Sequence, residues 1–366
     1  MQQAPFPIIS VEGDAYEIGY QYGSQCKKLI EEAIGVYRKL FKTVIGLEWE
    51  TALSSSRKFT PSIEEYDPAG MEEMRGVAKG SGQAFDNILA LNLRYELVWL
   101  KGAGGLGECT ALAVTPEASS PKRMLMAENW DLQCAVKKLP VLLKQKRKNG
   151  PNVIQLAEAG VIGRHGFNSA GVCVVANAMV SDGWQVGVPM QIILHKILNQ
   201  ESLVDAMGAV LAAKRASSGN YLIGYTGSEG SDAVDIEASP GSYNVLWPDN
   251  GILAHANHFS VANPEIKDLF PPMDPGSLHR EHRATTLLAK ERGNIDVDAI
   301  KKILRNHFDK KRAWSICSHA DPKCDEVLEW MTIASYIFDL QAKTMHIAKG
   351  PPCENEYVAL TFEDIF

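Results

Sequence analysis

Gly107-Glu108-Cys109-Thr110, with Glu128-Asn129-Trp130-Asp131 shortly after it, decides how this chain reads. A glycine-rich loop, residues 101–107, leads into Cys109. The cysteine opens a strand-like run at 110–115. Residues 117–122 carry the Ser, Ser and Pro of a turn, and a second strand at 124–130 brings back a carboxylate, Asp131. A cysteine so placed can cut the peptide bond before it and then work as a new amino-terminal residue. Its thiol is the nucleophile. The freed α-amine, with a pKa of about 7.7–8.0, is the base, and no distant histidine is needed. A buried cysteine at the head of a core strand fits the same residues, because free cysteine behaves as a small hydrophobe. Cys109 alone leaves both readings open.

With 366 residues the chain has room for one large domain or two ordinary ones. Apolar residues at 45% and charged residues at 22% suit a globular protein with a sizeable core. The net charge of -7 argues against nucleic acid or an anionic membrane as the main partner. The short basic patch at 144–148 reads as a solvated turn. No apolar run reaches the roughly 18 residues of a membrane span. Residues 1–10 lack the apolar core of a signal peptide, and the Glu363-Asp364-Ile365-Phe366 terminus is no peroxisomal address, so the expected location is the cytoplasm.

The texture changes near residue 108. Residues 1–108 read as a helical segment. Asp14-Ala15-Tyr16-Glu17 is a capping box, and Ile18, Tyr22, Leu29, Ile30, Ala33, Ile34, Tyr37 and Phe41 recur at helical spacing after it. Gly19 and Gly23, four apart, prepare one face for close packing. A second helix is expected over 63–78, interrupted at Asp67-Pro68 and ending at Gly80 or Gly82. A third runs from Asp86 as N-cap towards Trp99, and Gly102 to Gly107 end it. From Cys109 to residue 366 the pattern is strand pairs, two helices, strand pairs, two helices, strand pair. Residues 153–159 and 172–178 read as a hairpin-like pair. Pro189 opens one helix and Ser202 caps the next. Strands at 220–225, 233–237, 243–247 and 252–257 follow, then helices at 281–290 and 296–307, then strands at 331–338 and 344–348. Strand runs set apart from helix pairs imply an α+β fold of two antiparallel sheets between helical layers.

Cysteines stand at 26, 109, 134, 173, 317, 324 and 353, an odd count at wide spacings. No Cys-x-x-Cys pair or Cys/His cluster has zinc spacing. Cys317-x6-Cys324 with His319 between them comes nearest but lacks a second pair, so no metal is expected. No Gly-x-Gly-x-x-Gly or Walker loop appears, and no cofactor is expected.

Four stretches together resemble one family. They are Ala15-Tyr16-Glu17-Ile18-Gly19-Tyr20-Gln21-Tyr22-Gly23; Cys109-Thr110 with Asn129-Trp130-Asp131; Glu158-Ala159-Gly160-Val161-Ile162-Gly163 running into Gly166-Phe167-Asn168-Ser169-Ala170-Gly171-Val172; and His255-Ala256-Asn257-His258 with Trp314-Ser315-Ile316-Cys317. In this order, over nearly the whole chain, they resemble the acyl-coenzyme A:6-aminopenicillanic acid acyltransferases, or isopenicillin N acyltransferases, of the N-terminal-nucleophile hydrolases. The resemblance implies an αββα fold with a helical amino-terminal segment. It also implies self-cleavage between Glu108 and Cys109, with the fragments 1–108 (α chain) and 109–366 (β chain) staying together. Cys109 then matches the nucleophile, Asp131 an aspartate of the active-site pocket, and Asn257 the asparagine that supplies an oxyanion donor. Thr110, Ala111, Leu132 and Asn177 are candidates to line the substrate pocket. His255 and His258 flank Asn257 and read as structural.

Three positions depart from the family pattern. Penicillin-making members carry arginines where this chain has Ser318 and Glu329, and arginine suits recognition of a carboxylate. Many relatives have a small residue before the nucleophile, where this chain has Glu108. The expected activity is therefore that of an autoproteolytically activated N-terminal cysteine amidohydrolase or acyltransferase, cleaving amide bonds of small N-acylated compounds through a thioester. Acyl-coenzyme A is the second candidate acyl donor, as in penicillin biosynthesis. An unprocessed, non-catalytic scaffold is the reading from another class. A papain-like protease would need a local signature that Cys109 lacks.

Overall fold

The computed structural model describes residues 4–99, 108–120, 122–308 and 314–363. The glycine-rich loop expected at 102–107 lies outside the described residues. The amino-terminal segment contains β1 (Ile8–Gly13), α1 (Ala15–Gln25), α2 (Lys27–Ile45), α3 (Trp49–Ser56), α4 (Thr60–Tyr66), α5 (Pro68–Ser81), α6 (Phe85–Asn92) and α7 (Arg94–Trp99). Then follow β2 (Glu108–Val114), β3 (Leu125–Gln133), β4 (Pro140–Arg147), β5 (Val153–Glu158), β6 (His165–Asn168), β7 (Val172–Ala178), α8 (Met190–Ile197), α9 (Leu203–Ala212), β8 (Gly219–Gly227), β9 (Gly230–Ala238), β10 (Tyr243–Leu246), β11 (Ile252–His255), α10 (Gly276–Glu291), α11 (Val297–Leu304), β12 (Trp330–Asp339), β13 (Thr344–Lys349) and β14 (Val358–Thr361).

Among the described residues these strands form two sheets, in the orders β1-β4-β5-β6-β7-β8-β9-β10 and β11-β2-β3-β12-β13-β14. The sheets stack through β7 and β8 against β2 and β3; α8 and α9 lie on the first sheet, α10 and α11 on the second. The layer order is helix, sheet, sheet, helix. Side-chain alternation sorts β2 and β3 between two cores. Cys109, Ala111, Ala113, Met126 and Trp130 enter the large core between the sheets. Leu112, Val114, Leu125 and Ala127 enter a smaller core beneath α10 and α11 with Leu288, Ile300, Ile303 and Leu304. No helix among the described residues is long and apolar enough to cross a membrane.

The fold departs from the sequence reading where tertiary contacts override local pattern. The first apolar stripe is two helices, not one, broken at Cys26. Asp86 is not an N-cap; Ala84 is, and Asp86 sits in the first turn of α6, paired with Arg57 at 2.6 Å. The strands at 153–158 and 172–178 do not pair with each other, because β6 stands between them. The segment before residue 108 is not wholly helical. Its β1 runs parallel to β4, with Ile8 opposite Leu142, in an otherwise antiparallel arrangement. Ile9 and Val11 face inwards while Ile8 and Ser10 face out, a period-two signal too short to stand out in the sequence.

The paired glycines of α1 meet a second pair on α5. A Cβ on Gly19 would lie 2.0 Å from the Glu73 carbonyl oxygen, and one on Gly23 would lie 2.3 Å from that of Val77. In return, Gly76 faces the Tyr16 carbonyl at 2.3 Å and Gly80 that of Tyr20 at 2.1 Å. Backbone touches backbone, so any side chain must push the helices apart. Gly76→Ala should therefore cost about 1–3 kcal/mol in urea unfolding. Gly35→Ala on α2, with no atom within 4 Å of the added carbon, should be neutral or stabilise by up to about 1 kcal/mol. Equal stabilities for the two variants would refute this account of the crossing.

His195 of α8 is buried against the amino-terminal segment. Its Nδ1 is 2.5 Å from Asp67 Oδ2 and its Nε2 is 3.1 Å from Glu73 Oε2. Burial alone would favour the neutral imidazole. Asp67 and then Glu73 outweigh it and push the His195 pKa up to about 9; the carboxyl of Asp67 is correspondingly lowered. The folded pKa lies above the unfolded value of about 6.5. This stabilisation is thus complete below pH ~6.5 and is lost as pH rises through the folded value. The urea midpoint of the protein should fall between these two pH values, and His195→Gln should flatten that slope. The variant should also cost about 3–5 kcal/mol near neutral pH, because two carboxylates lose their buried cation. An unchanged slope in His195→Gln would remove His195 as its source.

Candidate active site

Cys109 stands second in β2, where register fixes its surroundings. Across the hairpin, Glu108 pairs with Asp131 and Cys109 with Trp130. On the other side β11 pairs with β2, His255 opposite Ala111. Continuing that antiparallel register by two residues brings Asn257 beside Cys109. The Cys109 backbone N–H donates to Asn257 Oδ1 at 2.8 Å.

The Asn257 amide is fixed on both ends. Its Nδ2 donates to the Ala178 carbonyl at 2.9 Å, at the end of β7. Its Oδ1 also accepts from Arg280 Nη2 at 3.1 Å. The two donors at Oδ1 and the acceptor at Nδ2 admit only one amide orientation. Arg280, in the first turns of α10, is fully buried and braced by Asp274 at 3.1 Å. Its Nη1 donates to the Cys109 carbonyl at 2.5 Å and to Thr110 Oγ1 at 3.2 Å. Both backbone polar groups of Cys109 are thus held by side chains.

The thiol faces the space between the sheets. Arg164 lies 4.5 Å over the Trp130 ring and donates from Nη2 to the Tyr95 hydroxyl at 3.1 Å. Glu128, two residues before Trp130 on β3, accepts from the Tyr336 hydroxyl at 2.9 Å and lies 2.9 Å from His165 Nδ1. Burial, then the charges of Glu128 and Asp131, push the Cys109 pKa well up; Arg164 and the Asp131 backbone amide pull the other way without cancelling this. At neutral pH the intact chain holds a thiol here, not a thiolate.

Asp131 is buried beside Cys109 in sequence register, but alternation turns its side chain to the opposite face from Trp130 and the thiol. There Oδ1 accepts from Thr332 Oγ1 at 2.6 Å. Its carboxylate reaches the sulfur through its field, and its backbone amide makes the direct contact. Thr110 also faces the helical side, where Arg280 meets it. Ala111 and Leu132 are buried in the core between the sheets. Asn177 is fully buried on β7; its Oδ1 accepts from Asn220 at 3.0 Å, while its Nδ2 has no hydrogen-bond partner among the described residues.

The histidines flanking Asn257 are occupied elsewhere. His255 Nε2 meets Glu237 Oε1 at 2.9 Å and its Nδ1 meets the Ala256 carbonyl at 2.9 Å. Burial opposes its charge, but Asp235 and Glu237 hold the His255 pKa up at about 10. A permanent imidazolium is no general base; it pins the turn that carries Asn257. His258 contacts Ser277 Oγ at 2.9 Å. Ser318 is buried with its backbone N–H on Thr332 Oγ1 at 3.0 Å, and Glu329 directly precedes β12.

Sequence reasoning missed Arg280, Arg164 and Glu128. Arg280 falls in the polar run His279-Arg280-Glu281-His282-Arg283, just before the expected helix start, and polar runs read as solvated faces. Arg164 lies between glycines, where only the weak hint of a charge inside an apolar strand pair marks it. One group of ligating side chains among the described residues converges with metal-like spacing: His307, Cys317, His319 and Cys353, apart from Cys109. A surface cavity of about 810 Å³ between α4 and α9 is lined by Tyr66, Lys196 and Asp205 but by none of these site residues.

A family model described as "Acyl-coenzyme A:6-aminopenicillanic acid acyl-transferase" matches residues 118–353. The chain is 30% identical over 280 residues to the acyl-coenzyme A:6-aminopenicillanic-acid-acyltransferase 40 kDa form of Emericella nidulans, covering 74% of each chain. Among solved structures, it is similar to a variant of conjugated bile acid hydrolase from Clostridium perfringens at 12% identity and a TM-score of 0.48, over 70% of this chain and 97% of the other. It is also similar to penicillin V acylase from Agrobacterium tumefaciens at 10% identity and a TM-score of 0.42, over 66% and 83%.

Proposed function

The chain belongs to the acyl-coenzyme A:6-aminopenicillanic acid acyl-transferase family, and from that premise we propose that Cys109 cleaves its own preceding peptide bond and then serves as an N-terminal nucleophile on small N-acylated compounds. The observation that carries this reading is the seat of the Cys109 nitrogen on Asn257 Oδ1. A backbone N–H in the middle of a strand needs only a carbonyl partner. A side-chain amide braced by a buried arginine suits a nitrogen that is to become a free amine.

In processing, Cys109 Sγ attacks the Glu108 carbonyl carbon. The Glu108–Cys109 C–N bond breaks, and the thiol proton passes to the departing nitrogen. Water then hydrolyses the thioester formed between Glu108 and Cys109 Sγ, leaving residues 1–108 and 109–366. In turnover the α-amine takes the thiol proton, sulfur attacks the substrate's acyl carbon, and the proton returns to the leaving amine. Water or a second amine resolves the thioester. A neutral amide is the natural donor for the oxyanion. Asn257 Nδ2 is committed to Ala178. Asn177 Nδ2, buried without a partner among the described residues one position before Ala178, suits that duty better. This divides the work differently from the sequence expectation: Asn257 positions the amine, and Asn177 meets the oxyanion. Asp131, turned away from the thiol, acts through its charge and the strand end.

Ser318 and Glu329 stand where penicillin-making relatives have arginines, so an acceptor amine bearing a carboxylate loses its natural partner. Hydrolysis of small N-acyl amides is the first reading, and transfer from acyl-coenzyme A the second. Mass spectrometry of freshly purified protein should show two fragments, 1–108 and 109–366, in the wild type and one chain in Cys109→Ala. A wild type that stays intact would overturn the processing step and favour the scaffold reading.

With the processed enzyme, a panel of N-acylated amines and amino acids should be hydrolysed faster than 6-aminopenicillanic acid is acylated from acyl-coenzyme A. Asn177→Ala should lower kcat about 10²–10³-fold with cleavage intact, whereas Asn257→Ala should impair cleavage itself. The reverse pattern would return the oxyanion role to Asn257.

A further inference from the structure

We propose that His307, Cys317, His319 and Cys353 form a tetrahedral site for a structural zinc ion behind the catalytic strand. The four ligating atoms all lie within 4.8 Å of one another. His307 Nε2 is 3.0 Å from His319 Nε2, and the sulfurs of Cys317 and Cys353 lie 3.5 and 3.2 Å from that same nitrogen. Zn–N bonds of about 2.0–2.1 Å and Zn–S bonds of about 2.3 Å, set at tetrahedral angles, require separations of about 3.3 Å between nitrogens and about 3.6 Å between nitrogen and sulfur. The observed spacings fall close to these. Two thiolates with two imidazoles are a zinc donor set, and a closed set of four protein ligands is the structural rather than the catalytic kind.

The surroundings supply the outer support that such sites use. His319 Nδ1 lies 3.3 Å from Glu354 Oε1, which holds the ring so that Nε2 turns to the cluster. Cys317 is buried, the two histidines are half-buried, and Cys353 is exposed, which leaves a path for the ion to enter. Binding releases the two thiol protons to solvent and changes no oxidation state.

The site also explains a placement that the apolar core does not. The ligands come from three separate stretches: the chain just beyond α11, the segment before β12, and the turn after β13. The middle stretch carries the polar residues of β3. Asn129 Nδ2 donates to the Ile316 carbonyl at 2.6 Å and the Leu304 carbonyl at 2.8 Å. Ser318, between two ligands, donates its backbone N–H to the Thr332 hydroxyl and accepts from the Thr332 backbone N–H, and that hydroxyl donates to Asp131. A metal here clamps the segment against which Asn129 and Asp131 are set. In the sequence, Cys317 and Cys324 are the nearest thing to a pair. The fold excludes the exposed Cys324 from the group and supplies Cys353 and His307 instead, at separations no local motif reports.

Full-length protein purified without chelator should contain about one zinc per chain by elemental mass spectrometry. Cys324→Ser should keep it, while Cys353→Ser and His319→Gln should each reduce it to less than a tenth. Cys353→Ser changes an exposed residue; circular dichroism should show it folded. As a measurement independent of variants, the metal-stripped, reduced wild type titrated with Co²⁺ should develop the d–d and thiolate charge-transfer bands of tetrahedral cobalt bound by two sulfurs, saturating at about one equivalent. Wild-type protein that holds no zinc and gives no such bands overturns the site. So does zinc retained equally in all three variants, or a Cys317–Cys353 disulfide that forms in place of metal binding.

Discussion

The bond from the Cys109 backbone nitrogen to Asn257 Oδ1 is the constraint around which the site is arranged. It requires β11 to pair with β2 in one register, because a slip of one residue would turn Asn257 away. It requires the end of β7 to lie beside both, since the Ala178 carbonyl fixes the other end of the same amide. It requires α10 to cross this strand end so that Arg280 reaches Asn257, Cys109 and Asp274 together. Two sheets and one helical layer therefore meet at a single side chain. An interaction of this kind contributes about 1–3 kcal/mol to stability, modest against the whole fold. Its value lies in direction, because it holds a nitrogen, a carbonyl and the thiol they carry at fixed relative positions.

Beneath the thiol the core departs from the apolar rule. Arg94, Glu158, Arg164, Glu128 and His165 are all fully buried. Arg94 meets Glu158 at 2.8 Å, and the Tyr37 hydroxyl donates to the same carboxylate at 3.0 Å. Buried pairs of this sort often stabilise no better than well-packed hydrophobic residues would. A chain selected for stability alone has little use for them. Around Cys109 two of them act on the sulfur itself: Arg164 favours the thiolate while Glu128 opposes it. The two set the thiol's acidity from opposite sides. The guanidinium stacked on Trp130 also supplies a cation that stays charged at any working pH.

Much of the fold was legible in the sequence because it rests on local signals. The capping box at Asp14, the αL cap at Gly82, the Pro189 and Ser202 helix starts and the alternation along β2 and β3 are decided by neighbours in the chain. The Gly19 and Gly23 pair announced a close crossing without naming its partner, and the partner proved to be a matching pair on α5. What the sequence hid was long-range. β1 joins a strand more than a hundred residues away. Arg280 acts across the sheet, and Cys353 lies beside His319 only because β12 and β13 fold back. Asp131 shows a subtler limit. Spacing brought it to the correct strand position, but only the register with Trp130 shows that its carboxylate and the thiol face opposite sides.

The boundary at residue 108 divides the chain in texture but not in packing. β1 is an edge strand of the sheet that β4 to β10 complete. The Tyr22 hydroxyl donates to the Glu158 carbonyl at 3.2 Å and accepts from the Gly160 backbone at 2.9 Å. Asn92 accepts from Ile162 N–H at 3.0 Å and donates to the Gly160 carbonyl at 3.0 Å. Glu96 accepts from the Met190 backbone at 2.9 Å and from Ser217 at 2.7 Å. Each of these bonds is buried and joins the two sides of residue 108. A cut between Glu108 and Cys109 removes one covalent link and none of them. To separate, the fragments would have to expose an unpaired sheet edge, the apolar faces of the amino-terminal helices and the buried Glu158 and His195 charges at once. Buried polar groups that lose their partners cost about 1–3 kcal/mol each, and several would be lost together. If the proposed cut is made, interlocking of this kind holds the residues around Cys109 in place.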